Sequence, residues 1–383
     1  MISRSGADRL RGLRASAPSV LSVYLPVPVD LAAHRALPTR ARELIKSAAI
    51  RERNEIRPQV READLEAVIG AVASRSYDWL GRTAAIFACA EISLLEAIPL
   101  PGHLTEQAII ARRPHIRPLL AALQRNPPFR AALLDAKHAW ILNIAGDRIE
   151  TVAERTGPGV RSAGFAGWYG LEAYRIQQRI MELSKQHFRD TISVLERSAD
   201  GGNLPLVLGG HDNEISQFVT SLPPAVRQNV AGTFKVDLQT ATPGRVRELA
   251  RHVIESWSER SEQQLVRDVL NQPPSVSAIT GLEGCIAASR ARAVAELILP
   301  DDQTVPGFAC DACGALSSSA KGCDCPDPGK CCRAVPDLLD ELAGRTLDGG
   351  GRVTSVRNPP FTAAARLRFP LAAGSSPAVS RLP

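Results

Sequence analysis

Cys310-Asp-Ala-Cys313, Cys323-Asp-Cys325 and Cys331-Cys332 place six of the chain's eight cysteines within 23 residues. Thiolates two or three positions apart on a tight turn can share one tetrahedral ion, and Gly314 and Gly322 ease the bends beside the first two groups. Six thiols exceed one tetrahedral set. Cys310, Cys313, Cys323 and Cys325 are the first choice, with Cys331 and Cys332 as alternates. In a reducing compartment this clustering favours a structural zinc over disulfides; the competing reading is a metal-free loop. An all-cysteine set leaves no open position for catalysis.

The second candidate runs from Arg155 to Asp190. Gly157, Gly159, Gly164, Gly167 and Gly170 let the backbone bend freely and approach another surface closely. Among them stand Phe165, Trp168 and Tyr169, in a chain with only 4% aromatic residues. Ala173, Ile176, Ile180 and Leu183 then recur at helical spacing, with Arg175, Arg179, Lys185 and Arg189 on the other faces. Glycines, rings and cations together suit a loop that enters folded RNA, where bases stack on rings and phosphates need positive charge. A surface loop before an ordinary amphipathic helix accounts for the same residues.

Several elements must position this loop. Phe129–Asp135 and His138–Ile144 read as strands joined by a short turn, and a third follows at Arg148–Ala153 after the Gly146-Asp147 turn signal. Leu204–His211 reads as a buried strand ending in Gly-Gly, followed by helices over Asn213–Leu222 and Pro224–Ala231. Further strands are expected at Ser19–Pro26, Thr83–Cys89, Val294–Pro300, Gly351–Val356 and Ala364–Phe369. Helices are expected over Arg40–Ala73, Pro243–Trp257, Gln263–Leu270, Leu282–Ala293 and Asp337–Ala343. Gly209-Gly210-His211-Asp212 lacks the spacing of a dinucleotide or Walker loop. His187 reads as a packed or surface histidine, and Asp135 and Asp147 as turn residues.

The text Trp168-Tyr-Gly-Leu-Glu-Ala-Tyr-Arg175, Gln186-His-Phe-Arg-Asp190, Leu206-Val-Leu-Gly-Gly-His-Asp-Asn213 and Leu222–Gly232 resembles the middle domain of the archaeo-eukaryotic class-1 release factors and of Pelota. The likeness is greatest to the bacterial members of that superfamily. It covers roughly residues 15 to 370 and is strongest from 155 to 232. It implies an α/β chain of three domains: an N-terminal decoding-centre-like domain (1–126), a ribonuclease-H-like middle domain (127–258) and a kink-turn-binding-protein-like α/β sandwich (259–370). A Cys-rich insert would occupy 308–334 and a disordered tail 371–383. In the family the loop before the long helix enters the peptidyl-transferase centre, and release factors carry Gly-Gly-Gln there, whose glutamine helps place the hydrolytic water. This loop offers Gly157-Pro-Gly159 and no glutamine. Water-positioning chemistry needs a group within hydrogen-bond reach, and only Arg161, Ser162 and backbone amides are at hand. Leu44-Ile-Lys-Ser47 stands where family decoders carry Asn-Ile-Lys-Ser, so codon contact through Lys46 is weighed against a chance match.

The resemblance therefore implies a translation factor that binds the ribosomal A site, in rescue, stress or hibernation, with a translational GTPase among its partners. Peptidyl-tRNA hydrolysis and a zinc-containing RNA-binding protein acting off the ribosome are the alternatives. A formal charge of +6 suits a polyanionic partner. No secretory leader or membrane span is recognisable, so a cytoplasmic protein with no membrane or DNA partner is expected.

Overall fold

The computed structural model describes residues 4–51, 59–157, 171–198, 204–272, 277–319 and 332–371. The fold is mixed α/β with four sheets among the described residues. It divides into two compact units: Met1–Arg125 with Glu262–Pro383, and Asn126–Ser261.

The first unit opens with α1 (Arg4–Gly12), β1 (Val20–Pro26), α2 (Leu31–Arg35), α3 (Leu37–Arg51), α4 (Glu62–Arg75), β2 (Thr83–Cys89), β3 (Leu94–Leu100), β4 (Gln107–Ala111) and α5 (Arg117–Arg125). The strands form an antiparallel sheet in the order β3-β2-β1-β4. Side chains alternate across a strand, and here both faces are covered. Leu21, Val23 and Leu25 pack with Ile45 of α3 and Val68 of α4, while Val20 and Tyr24 pack with Leu10 of α1 and Leu119 of α5. β1 is accordingly apolar throughout except at Ser22, whose buried hydroxyl accepts from the His115 N–H.

The second unit contains β5 (Phe129–Leu134), β6 (His138–Ala145), β7 (Arg148–Thr156), α6 (Leu171–Arg197), β8 (Leu206–Gly210), α7 (Asp212–Ser221), α8 (Pro224–Arg227), β9 (Val230–Lys235) and the start of α9 (Pro243–Leu270). Its sheet runs β7-β6-β5-β8-β9; β5, β6 and β7 are antiparallel, and β8 joins β5 and β9 in parallel. Phe129, Ala131 and Leu133 bury one face under Val246, Ala250 and Ile254 of α9, and Ala132 and Leu134 bury the other under α6 and α7. The Gly-Gly end of β8 is explained by packing. A Cβ on Gly209 would lie 2.6 Å from the Phe234 ring, and one on Gly210 would run into the Leu134 carbonyl. The helices expected at Pro243–Trp257 and Gln263–Leu270 are one continuous helix, because nothing in Ser258–Glu262 breaks the backbone hydrogen-bond ladder.

The first unit is completed by β10 (Ala278–Thr280), α10 (Leu282–Arg290), β11 (Val294–Pro300), β12 (Gly307–Cys310), β13 (Leu316–Ser317), β14 (Cys332–Val335), α11 (Leu338–Asp348), β15 (Arg352–Val356) and β16 (Ala364–Leu367). These strands form a β10-β16-β11-β15 sheet and a small β13-β12-β14 sheet. Leu297 and Leu299 share a core with Cys285 of α10 and with Leu339 and Leu342 of α11. A buried ionic network ties this part to the opening segment. Arg117 reaches Asp337 at 3.1 Å and donates to the carbonyls of Pro300 and Gln303, and His115 Nε2 lies 2.9 Å from Asp337. Burial alone would raise the Asp337 pKa, but Arg117, His115 and the Val305 N–H hold its carboxyl below the usual range. Among the described residues no helix is long and apolar enough to cross a membrane.

Candidate nucleic-acid interface

The hairpin, the start of the glycine loop and the long helix meet at one place. Asp135 closes the β5–β6 turn by accepting from the N–H groups of Lys137 (2.6 Å) and His138 (2.7 Å), and lies 3.1 Å from His138 Nδ1. Partial burial works to raise its pKa, yet these donors hold the carboxyl low. The Lys137 carbonyl in turn accepts from the Gly157 N–H, so the turn grips the first residue after β7. A Cβ there would sit 3.2 Å from the Lys137 carbonyl and 3.3 Å from His187 Nδ1, a tight fit to which those neighbours would have to yield. His187 itself is buried, and burial lowers its pKa more than the His138 backbone and Asp135 raise it, so the imidazole is neutral near pH 7. It packs; it is no exposed base.

α6 is built in two halves. Phe188, Ile192 and Leu195 sink into the core under β5 and β8, and Phe188 meets Phe218 edge-on at 5.3 Å. The C-terminal end is held by Arg130 of β5, which donates to the carbonyls of Leu195 (3.4 Å) and Ser198 (2.8 Å) and to Asn143 Oδ1 (2.9 Å). A cation at a helix C-terminus satisfies orphan carbonyls and complements the helix dipole. Burial lowers the pKa of this guanidinium. Toward the other end Gln178, Arg179, Met181, Glu182, Lys185 and Gln186 are exposed, and Leu183 is only half-buried. The stripe expected from Ala173 to Leu183 is therefore not the buried face at Leu183; the side chains of Ala173, Ile176 and Ile180 lie outside the described residues. At ~1.5 Å per residue, Leu171 lies about 24 Å along the axis from His187. The described side chains of this half (the arm), from Gln178 to Gln186, are thus mostly exposed, and Leu171 stands at its far end.

Of the sequence-predicted contact residues, Gly157, Arg179, Lys185 and Arg189 are described in this unit. Arg179 and Lys185 pair with no carboxylate among the described residues, whereas Arg189 pairs with Glu182 at 2.9 Å. Gly159, Arg161, Phe165, Trp168 and Tyr169 lie outside the described residues, as does the side chain of Arg175. Lys46 is exposed on α3 and belongs to the other unit. Arg130 was legible only as a charge in an otherwise apolar strand, and its role at the end of α6 is visible only in three dimensions.

Of the cysteines, Cys310 and Cys332 are register partners across β12 and β14. Cys310 Sγ accepts from the Cys313 N–H and Cys313 Sγ from the Ala315 N–H, both at 3.4 Å, around Gly314 at φ 71°. Cys323, Cys325 and Cys331 lie outside the described residues, among which no metal-holding group of three or more side chains occurs. Cys285 is buried apart from them, and burial pushes its thiol up to about 12.

Residues 114–256 match the model of bacterial archaeo-eukaryotic release factor family 10. No curated protein matches the chain. Similar solved structures include an archaeal translation termination factor, aRF1, at 16% identity over 96% of this chain and 99% of that one, with a TM-score of 0.26. Pelota of Archaeoglobus fulgidus matches at 16% identity over 76% of this chain and 80% of its own, TM-score 0.36. Dom34 of S. cerevisiae, a translation termination-like factor, matches at 11% identity over 76% and 81%, TM-score 0.38. The family match takes in the β5–β6–β7 strands, α6 and the strands behind it, and supports membership of the archaeo-eukaryotic release factor superfamily.

Proposed function

We propose that this chain is a translation factor that binds the ribosomal A site and works in rescue, stress or hibernation without hydrolysing peptidyl-tRNA. The observation that carries the reading is α6, which is anchored at one end in a mixed sheet and exposes Gln178, Arg179, Lys185 and Gln186 toward the other, after a sequence that is glycine-rich and holds no glutamine. The sheet order, with three antiparallel strands followed by two parallel ones, supports a ribonuclease-H-like middle domain. The four-stranded sheet with α10 and α11 supports the α/β sandwich of the third. On this reading Gly157, Gly159, Arg161, Phe165, Trp168 and Tyr169 approach the peptidyl-transferase centre, and Arg175, Arg179, Lys185 and Arg189 follow rRNA phosphates. Lys46 faces the decoding centre, and a translational GTPase delivers the factor to the cytoplasmic ribosome. Purified protein should co-sediment with 70S ribosomes and release no peptide from ribosomes loaded with peptidyl-tRNA. Sedimentation no better than that of an unrelated basic protein would refute A-site binding. Rapid release abolished by Arg161→Ala, with binding intact, would establish the hydrolase instead.

A structural zinc in the Cys-rich insert is part of the same reading. N–H groups aimed at Cys310 and Cys313 sulfurs stabilise negative charge there, which is what a metal-bound thiolate carries. The set proposed is Cys310, Cys313, Cys323 and Cys325, with Cys331 and Cys332 as alternates. Elemental analysis should find about one zinc per chain for one closed tetrahedral set. Protein free of metal with every clustered thiol reactive would reject the site.

A further inference from the structure

Within the first unit, away from the helical arm, three arginines converge on a single carboxylate. Asp311 Oδ1 accepts from Arg14 (2.7 Å) and from Arg333 Nε (3.0 Å), and Asp311 Oδ2 accepts from Arg112 (2.9 Å). Arg333 also donates to Glu341 at 2.9 Å. Among the described residues three guanidiniums thus share two carboxylates, so positive charge is in excess there. Arg112 Nε is buried and has no acceptor among the described residues.

The same arginines line a cleft. Arg112 and Arg333 form its polar wall, with Phe308, Pro18, Pro336 and Ala111 on the apolar side, around a cavity of about 370 Å³. Ligand pockets span about 300–1,000 Å³ and combine apolar walls with a few converging polar groups. Guanidiniums match phosphate oxygens through paired N–H donors, and a half-buried phenyl ring beside prolines offers a face on which a base can lie.

We propose that this cleft binds a nucleotide, with its phosphate on Arg112 and Arg333 and its base against Phe308. The chemistry is common to a free nucleotide and to one residue of an RNA strand. The site does not depend on the ribosome reading, since none of its residues lies on the arm. A carboxylate side chain of a partner would satisfy the charge but leave the apolar wall uncovered, so the nucleotide is the better fit.

Titration calorimetry on the full chain tests this with AMP, adenosine, inorganic phosphate and a single-stranded hexauridylate lacking a terminal phosphate. AMP or the hexauridylate should bind at one site, at least tenfold tighter than adenosine or phosphate. AMP as the better ligand identifies a free nucleotide, and the hexauridylate as the better one identifies RNA. Arg112→Gln and Phe308→Ala should each weaken that binding at least tenfold. Phe308→Ala breaks no ion pair, so it carries the test if Arg112→Gln fails to fold. Absence of binding by both ligands, or equal affinity in the folded variants, would overturn the proposal.

Discussion

Removing the two unpaired cations of the arm should change the salt dependence of ribosome binding by an amount that the structure sets. Each phosphate neutralised by Lys or Arg contributes about −0.7 to −0.9 to the slope of log affinity against log salt. Arg179 and Lys185 are exposed and have no carboxylate partner among the described residues, so each can take one phosphate outright. Arg189 must first give up Glu182 at 2.9 Å and should count for less than one contact. The double variant Arg179→Gln/Lys185→Gln should therefore have a slope shallower by about 1.4–1.8. Between about 50 and 200 mM salt, the unaltered protein should lose about 7–12-fold more affinity than the double variant. The assay is quantitative co-sedimentation with 70S ribosomes across that range. Arg245→Gln, on α9 and already paired with Glu248, is the control and should leave the slope alone. An unchanged slope in the double variant would refute phosphate contact by the arm, whatever the absolute affinity.

Three further outcomes follow from buried partners. Asp337→Ala strands the buried Arg117 and His115 and should cost about 3–5 kcal/mol in urea denaturation. Because the folded pKa of Asp337 is depressed, its contribution is complete above the unfolded value near ~4 and fades as pH falls through the folded one; the variant should show a flatter acid limb, and an unchanged limb would contradict the network. Arg130→Ala removes the guanidinium donor from the Ser198 carbonyl and leaves the Leu195 carbonyl to the Ser198 hydroxyl; it should cost about 1–3 kcal/mol, with faster amide exchange at the end of α6 as the direct readout. Phe188→Ala empties a buried ring site against Phe218 and should cost about 3–5 kcal/mol, with circular dichroism reporting whether helix is lost as well.

Much of the framework was legible in the sequence because its elements are bounded runs of one period. Thr83–Cys89 and Val294–Pro300 are strands over the very residues expected, each apolar and each closed by a turn or proline. β4 was not read, since Gln107–Ala111 is a largely apolar run of only five residues, too short to mark a strand by period. The expectation of two helices over α9 follows from a domain boundary placed near Ser258; inside the continuous helix a serine there bonds back to the preceding turn, as Ser261 does to Trp257. Within the candidate site, Gly157 and the cations of α6 were legible by type. The grip of Lys137 and His187 on Gly157 was not, and neither was the pairing of His115 and Arg117 with Asp337. Such contacts join residues distant in sequence and have no local period.

The division of α6 explains why one helix needs both a greasy and a polar half. An isolated helix is costly to nucleate, and a stretch exposed on most sides gains little from packing. In the segment before His187 the described side chains of Gln178, Arg179, Lys185 and Gln186 face solvent. What can hold it helical is continuation of the ladder from the half that Phe188, Ile192, Leu195 and Arg130 have already fixed, since propagation costs far less than nucleation. The anchor and the arm are then one cooperative element. The charge that would meet RNA depends on apolar contacts that RNA never touches. A cationic loop of equal length without that anchor would have to lose the entropy of ordering its backbone on binding. The pre-formed arm has met most of that cost in folding, and it does so with cations left unpaired along an exposed face.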